Sequence, residues 1–410
     1  MNISDKIFIE INKKIFSKID DFLDTNNIKK HEVLMVSDVN IWEKNHHLCP
    51  KNFENNFGNF LILENPKADD FNVQKIIKKS RNFKYIFGFG SGTINDLCKF
   101  SAHKINKKYF ILISALSMNG YVSRNASIEI NGHKKSLLAT LPIAVFADLE
   151  ILKNTPERLN KAGLADVLCF YSCNFDLNFA KEVFLYQINK EALKIQSKLI
   201  NKFEKNYFNF SWQDEKFLKI LFKMILNSGW AMTISESSAP ASQSEHLLAH
   251  VLTMKYSNRI GYFFHGELIS NTTINCLERQ SKILETFPEN LFEKIIENYF
   301  EEIFDKNIFY KLQNYFGAEI AAECWKELSL KKDYLQKNHK KILHNLQINN
   351  SKIYKSLRKN YFSKYNLIKI FEHFEINFSN IINEFDEFEM QEIIFFSKLI
   401  RNRITSLDIF

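Results

Sequence analysis

The chain is poor in features that mark extracellular, membrane and repetitive proteins. Its six cysteines, Cys49, Cys98, Cys169, Cys173, Cys276 and Cys324, form no paired framework and no C-x-x-C, which excludes a disulfide scaffold and points to reduced thiols. No basic segment followed by an apolar core opens the sequence, and no uninterrupted apolar run approaches membrane-spanning length. A cytoplasmic protein without membrane insertion is expected. Glycine and proline become sparse after Pro156, and no internal repeat is present. The net charge of +8 comes from 55 basic and 47 acidic residues, and lysine pairs such as Lys29-Lys30, Lys78-Lys79 and Lys107-Lys108 are scattered. A solvated surface explains this better than a nucleic-acid patch, and no nucleic-acid partner is expected, although a basic surface could help attract an anionic substrate. His46-His47-Leu48-Cys49 has metal-binding residue types but no second cluster at structural-zinc spacing, and reads as a loop.

What is present is core-forming material for two domains: 410 residues, 45% of them hydrophobic. Up to about residue 155, short apolar runs alternate with helix-compatible stretches: Val33 to Val36, Phe60 to Leu63, Tyr85 to Phe89, Tyr109 to Ser114 and Ala144 to Ala147. Such runs suit strands of a mostly parallel sheet covered on both faces. Beyond Pro156 the texture changes. Stretches 179–205, 214–234 and 280–305 space apolar residues by three and four among lysines and glutamates. The reading is α/β plus all-α, with a Rossmann-like domain over 1–155 and a helical domain over 156–410.

Two local patterns carry chemistry. Gly90-Ser91-Gly92-Thr93-Ile94-Asn95-Asp96 follows the apolar run Tyr85 to Phe89, so a glycine turn joins a strand to a helix start. Backbone N–H groups in such a turn approach a phosphate closely, and the helix N-terminus adds partial positive charge; a tight turn wants glycine in any case. Asp38, beyond the first strand, suits either a ribose-binding carboxylate that repels the extra phosphate of NADP or a helix cap. In the second half, Glu245-His246-Leu247-Leu248-Ala249-His250 puts two imidazoles on one helix face. With His265 after a short connection and Asp166 upstream, one carboxylate and two imidazoles would bind a divalent cation of zinc type. Each histidine also suits a capping or core role. Cys169 and Cys173 read as small buried residues.

Taken in series, these motifs resemble the sn-glycerol-1-phosphate dehydrogenases of the iron-containing alcohol dehydrogenase and dehydroquinate synthase-like superfamily. The matches run from Asp38-Val39-Asn40 through Gly90 to Lys99, Ser117 to Ser123, Ala147-Asp148-Leu149, Ala162 to Tyr171, Gly229 to Met232, Pro240 to His250 and His265-Gly266-Glu267. Phe316 to Glu319, Cys324 to Glu327 and Ile400 to Asp408 echo the bacterial form. The resemblance implies that Asp166, His246 and His265 hold a divalent metal, Zn2+ or Ni2+. It implies that His250 and Asn119 face the substrate with Asp166 in the catalytic group. Asp38, Gly90, Ser91, Gly92, Thr93, Ile94, Asn95, Asp96, Ser114, Ala115, Leu116, Ser117 and Ser123 would bind NAD(H). The implied reaction interconverts dihydroxyacetone phosphate and sn-glycerol 1-phosphate, in a homodimer.

Several positions depart from the family pattern. Ser114 replaces the usual threonine, Asn119 an aspartate, Phe170 a lysine, Ala239 an arginine and Gln243 a glycine. Losing two cations matters at a site for a phosphate monoester, because charge-assisted contacts usually hold phosphate. The substitutions admit three readings: a different small phosphorylated or phosphonylated carbonyl substrate, a phosphate held elsewhere, or a noncatalytic NAD- and metal-binding homologue.

Overall fold

The computed structural model describes residues 3–50, 59–130, 133–287, 292–378 and 381–410. They form two compact units, Met1–Leu164 with Lys198–Glu236, and Ala165–Ser197 with Ser237–Phe410. The division therefore falls about ten residues beyond the expected boundary near 155, and one helical excursion returns to the first unit.

In the first unit, strands β1 (Phe8–Asn12), β2 (Val33–Asp38), β3 (Phe60–Leu63), β4 (Tyr85–Gly90), β5 (Lys108–Ile113) and β8 (Ala144–Asp148) form a parallel sheet in the order β1-β8-β5-β4-β2-β3. All five expected strands are present. β1 is an addition, paired in register with β8 from Phe8 opposite Ala144 to Asn12 opposite Asp148. The antiparallel ribbon β6 (Asn125–Ile130) and β7 (His133–Leu138) was also not expected. The sequence of β6, NASIEI, alternates polar and apolar residues, a period-two pattern distinct from the continuous apolar runs of the sheet strands. Residues of β2, β4, β5 and β8 are buried almost throughout, because helices cover both faces of the sheet. Phe87, Phe89, Phe110 and Phe146 form one face of the core with Phe16 and Phe22 of the helix Ile15–Thr25.

The order of the strands decides where a ligand fits. From β2 the chain steps outward to β3, whereas from β4, on the other side of β2, it steps away to β5. The reversal lies between β2 and β4, and α/β sheets bind ligands at the carboxyl ends of strands flanking such a point. Asp38 ends β2 and Gly90 ends β4, and Ser37 pairs with Phe89 in the ladder between them.

The helix Glu215–Ile234 meets the length and hydropathy of a membrane span. Charges at Lys216, Lys219 and Lys223 interrupt it, and Phe217, Leu218, Leu221, Phe222 and Trp230 are buried within the first unit, so it serves as a core helix.

The second unit is helical. Its longest element, Ala318–Asn360, buries Ala321, Cys324, Leu328, Lys331, Leu335, Ile342, Leu346, Ile353 and Leu357. Those spacings of three, four and seven give one buried stripe, apolar except for Lys331, along a helix of 43 residues. The stripe lies in a core shared with Phe175, Phe179 and Phe184 of the helix Phe170–Phe184, and the Tyr334 hydroxyl donates to the Phe184 carbonyl at 3.0 Å.

Gly163 is the most constrained small residue in the first unit. A Cβ there would stand 1.6 Å from the Leu116 carbonyl oxygen and 2.6 Å from its carbon, both backbone atoms that cannot swing away. Gly163→Ala is expected to destabilise the protein by about 3 kcal/mol, read as a lowered urea midpoint at unchanged slope. An unchanged midpoint would show that the 114–117 loop is not held against this helix.

Candidate nucleotide-binding turn and metal centre

The first unit carries the glycine turn. A Cβ at Gly90 would lie 2.5 Å from Cγ1 of Ile94, so the turn closes tightly onto the helix Gly92–Lys104. Ser91 precedes that helix without capping it through its side chain, and first-turn N–H groups have no intrahelical acceptor. Asn95 and Asp96 face inward. Asn95 donates to Asp96 at 3.0 Å, and Asp96 accepts the Ser127 N–H at 3.0 Å.

The Ser114 to Ser117 segment is fixed by its backbone. Ser114 N–H donates to the Gly90 carbonyl at 3.0 Å, Leu116 N–H to Asn160 Oδ1 at 2.9 Å, and the Tyr121 hydroxyl to the Ala115 carbonyl at 2.7 Å. The Ser114 hydroxyl is buried with no hydrogen-bond partner among the described residues. A hydroxyl left so beside the glycine turn fits a ligand contact. Ser123 is different. Its hydroxyl lies 3.0 Å from both the Gly120 and Asn125 carbonyls, so it braces the loop. Asp38 accepts the Ile41 N–H at 3.0 Å and caps the helix Val39–Asn45 through Oδ1, which satisfies the capping role directly. Asn119 starts the short 3-10 turn Gly120–Val122, and its carbonyl oxygen would lie 2.5 Å from a Cβ at Gly229.

Sequence reasoning missed Lys99. It is fully buried in the helix behind the glycine turn, 3.8 Å from Asp96, and donates to the Gly120 and Asn125 carbonyls at 2.6 and 3.1 Å. Burial pushes its ammonium down to about 8, and Asp96 only partly offsets this. A lysine whose folded-state value is depressed binds its proton less well than in the unfolded chain, so stability rises with pH between about 8 and the ordinary 10.5. Replacing Lys99 with Met removes that dependence. Between pH 8 and 9.5 the wild type should gain about 1–2 kcal/mol relative to the variant, measured by urea unfolding at both pH values. Parallel curves for the two proteins would contradict this.

The second unit gathers the metal candidates. Ligand atoms of Asp166, His246 and His265 lie within 4.8 Å of one another. Asp166 Oδ1 stands 3.6 Å from His246 Nε2 and 3.8 Å from His265 Nε2, beyond hydrogen-bond length and suited to one ion between three donors. Asp166 and His246 are buried, whereas the His265 side chain is 42% exposed, so the set has a protected side and an open one. Three elements supply it. Asp166 lies on the helix Glu157–Leu168, and His246 in the first turn of the helix Ser244–Ile260. Gly261, at φ +75°, ends the latter, and after a short connection His265 begins the helix His265–Thr286.

Glu245 completes the geometry. Its Oε1 lies 2.7 Å from His246 Nδ1, which turns Nε2 toward Asp166. A carboxylate on the second nitrogen is how metal-binding imidazoles are held in tautomer and orientation. Burial would raise the Glu245 carboxyl, but the His246 contact, the Gln243 N–H and the Ser172 hydroxyl hold it at about 2. Cys173 donates its thiol to Glu245 at 3.1 Å, and burial raises its pKa well above the ordinary thiol range. Cys169 forms a second possible cluster with Glu245 and His246. Behind them, Asp176 accepts from Ser244 N–H, Gln280 Nε2 and Ser406 N–H, each at 3.0 Å, and so anchors the start of the His246 helix.

Among the departures from the family pattern, Phe170 is buried at the head of its helix. Gln243 turns back to donate to the Ala239 carbonyl at 2.8 Å, so two of the substituted positions bond to each other. The pair His46 and Cys49 belongs to a short 3-10 turn and its cap, and neither joins a metal-ligand cluster among the described residues.

Glu245→Gln keeps the shape of the side chain and removes its charge, and is expected to weaken zinc binding about 10- to 100-fold in a chelator competition. Cys169→Ser should leave zinc affinity unchanged. The opposite ranking would move the ion to the Cys169, Glu245 and His246 cluster.

Residues 10–156 match a family model described as iron-containing alcohol dehydrogenase. A glycerol-1-phosphate dehydrogenase [NAD(P)+] of Methanothrix thermoacetophila is 30% identical over 216 residues, 52% of this chain and 60% of that protein. That of Sulfolobus acidocaldarius is 32% identical over 220 residues, 51% of this chain and 59% of the relative. The chain thus spans about three-fifths of the length of these relatives. An archaeal halo-thermophilic alcohol dehydrogenase from a Red Sea brine pool shares the fold, with a TM-score of 0.60 at 12% identity over 98% of this chain and 95% of that one. The resemblance read from the motifs is borne out, and so is the fold class, a parallel sheet domain followed by a large helical region.

Proposed function

We propose that this protein is a metal-dependent NAD(H) oxidoreductase that interconverts dihydroxyacetone phosphate and sn-glycerol 1-phosphate. One observation carries the proposal: a buried carboxylate and two imidazoles converge within 4.8 Å, with a carboxylate behind the first imidazole. The relatives named for this reaction support the choice of substrate.

The roles follow from the chain's own groups. Asp166, His246 and His265 would hold Zn2+ or Ni2+, which when bound polarises a substrate carbonyl as a Lewis acid. Glu245 keeps the Nε2 lone pair of His246 directed at the ion site. The turn Gly90 to Asp96 and the Ser114 to Ser117 segment would cradle NAD(H), which supplies the hydride. Asp38 favours NAD over NADP through its charge at the end of β2. The resemblance assigns Asn119 to the substrate, and its amide would supply hydrogen bonds without adding negative charge.

His250 lies one helical turn beyond His246. Burial, reinforced by the nearby charges of Arg401, His246, His265 and Arg403, keeps its imidazole well below the ordinary histidine range. At neutral pH it is therefore uncharged and ready to take the hydroxyl proton when the alcohol is oxidised. The reading carries with it a cytoplasmic protein that acts on a small phosphorylated molecule. A reductase for another phosphorylated or phosphonylated carbonyl compound is the second reading, favoured by the buried Phe170 and by Ala239 where the family has cations.

Zinc- or nickel-loaded protein given NADH and dihydroxyacetone phosphate is expected to consume nicotinamide absorbance and yield the sn-1 phosphate by chiral product assay. His246→Ala should lower the rate at least about 1,000-fold, as expected for losing electrostatic stabilisation at the reacting oxygen. Turnover only with other phosphorylated aldehydes or ketones would favour the second reading, and wild-type inertness across that panel would overturn both.

A further inference from the structure

The family's two cations are missing from positions 170 and 239, yet the second unit brings two others to the same site from a distant segment. Arg403 reaches the loop that holds Ala239. Its guanidinium donates to the Ser242 carbonyl, to the Ser242 hydroxyl at 2.8 Å and to the Ser238 hydroxyl, so it is seated on the residues flanking Ala239. Those contacts use two of its terminal nitrogens, Nη1 and Nη2, and leave donor capacity on the fork. Arg401 stands two residues earlier, half-buried; its carbonyl accepts the Arg403 N–H at 2.8 Å, and its guanidinium makes no hydrogen bond or ion pair among the described residues.

Both guanidinium groups act as positive charges on His250, as do His246 and His265. His250 thus has the metal candidates and the arginine pair within electrostatic reach. The carboxylates whose charge reaches Arg403 are Glu245, engaged with His246, and Glu327, which accepts the Asn402 N–H at 3.3 Å. Two arginines held near each other repel, and that repulsion is relieved by an anion shared between them.

We infer that Arg401 and Arg403 form the seat for the substrate's phosphate group, in a chain whose positions 170 and 239 carry no cation. The seat rests on the proposed reduction of a phosphorylated ketone, and adds which residues recognise its charged end. Arg403 is the fixed member, tied to the loop before His246. Arg401 is the member whose donors the fold has not committed. A ketone bound with its carbonyl at the Asp166, His246 and His265 set would extend its phosphate past His250 to this pair. The substrate class is then a short phosphomonoester, with the anion required for affinity and not for the chemical step.

The test measures inorganic phosphate binding by isothermal calorimetry to zinc-loaded wild type, Arg401→Ala, Arg401→Lys, Arg403→Lys and the surface control Arg259→Ala. The same proteins are assayed with NADH and either dihydroxyacetone phosphate or dihydroxyacetone. Arg401→Ala is expected to weaken phosphate about tenfold or more and to raise KM for dihydroxyacetone phosphate by a similar factor. Its kcat/KM for dihydroxyacetone and its zinc content should stay at the wild-type level. Arg401→Lys should recover part of the affinity, Arg403→Lys should lose it, and Arg259→Ala should match the wild type. Phosphate affinity unaffected by Arg401→Ala, or no phosphate binding by the wild type, overturns the seat. Phosphate binding that depends on Arg401 in a protein that reduces neither ketone supports the seat and overturns the proposed reaction.

Discussion

The hydrogen bond between Glu245 and His246, 2.7 Å long in the interior of the second unit, is the interaction on which the site depends. A buried glutamate is costly unless positive charge and donors surround it. Here the imidazole supplies one partner, and the Gln243 N–H, the Ser172 hydroxyl and the Cys173 thiol supply the rest. The bond has a geometric consequence. With Nδ1 committed to Glu245, Nε2 points at Asp166, itself fully buried. Asp166, Glu245 and Asp176 bring three carboxylates into one region, with Arg403 as a nearby cation. A divalent ion at the Asp166, His246 and His265 set would balance that excess of negative charge. The polar interior behind the site therefore reads as support for an ion rather than as a defect of packing.

The supporting network extends well beyond the ligands. Asp176 fixes the first N–H of the His246 helix and, on its other oxygen, the Ser406 N–H and Gln280 amide. Arg403 holds the preceding loop through Ser238 and Ser242. Residues 400–408 are thus built into the foundation of a site whose candidate ligands lie some 140 to 240 positions earlier. The buried pair of Lys331 with Asp408 locks the same segment to the stripe of the long helix. The first unit shows parallel logic. Lys99 clamps the Gly120 and Asn125 carbonyls from inside the helix that follows the glycine turn, so the turn and the Asn119 loop share one anchor.

Much of this was legible in the sequence, and the reason differs by element. The five expected strands announced themselves as continuous apolar runs; for the four inner ones, β2, β4, β5 and β8, the reason is that helices cover both faces, whereas β3 is an edge strand. β1 did not, since FIEIN is exposed or half-buried along its length, and the β6–β7 ribbon shows itself in the alternation of NASIEI and not in the continuous apolar runs by which the other strands were read. Asp166, His246 and His265 could be named from residue type, helical spacing and resemblance. Their partners could not. Glu245 adjoins His246 in sequence, and adjacent residues on a helix do not share a face, so spacing rules overlook a carboxylate that reaches round to Nδ1. Asp176, Gln280, Arg403 and Ser406 are joined only by the tertiary fold, and nothing in the spacing of Lys99 announces its burial. Asp38 shows the opposite limit: the cap expected as its ordinary role is present, and the ribose role remains part of the proposed cofactor site.

The most direct measurement is X-ray absorption at the zinc edge of the zinc-loaded protein. The account predicts a first shell of nitrogen and oxygen alone, at about 2.0–2.2 Å, with the imidazole scattering of two histidines. A sulfur contribution at about 2.3 Å would place the ion on Cys169 with Glu245 and His246, and would contradict the ligand set on which the proposed chemistry rests.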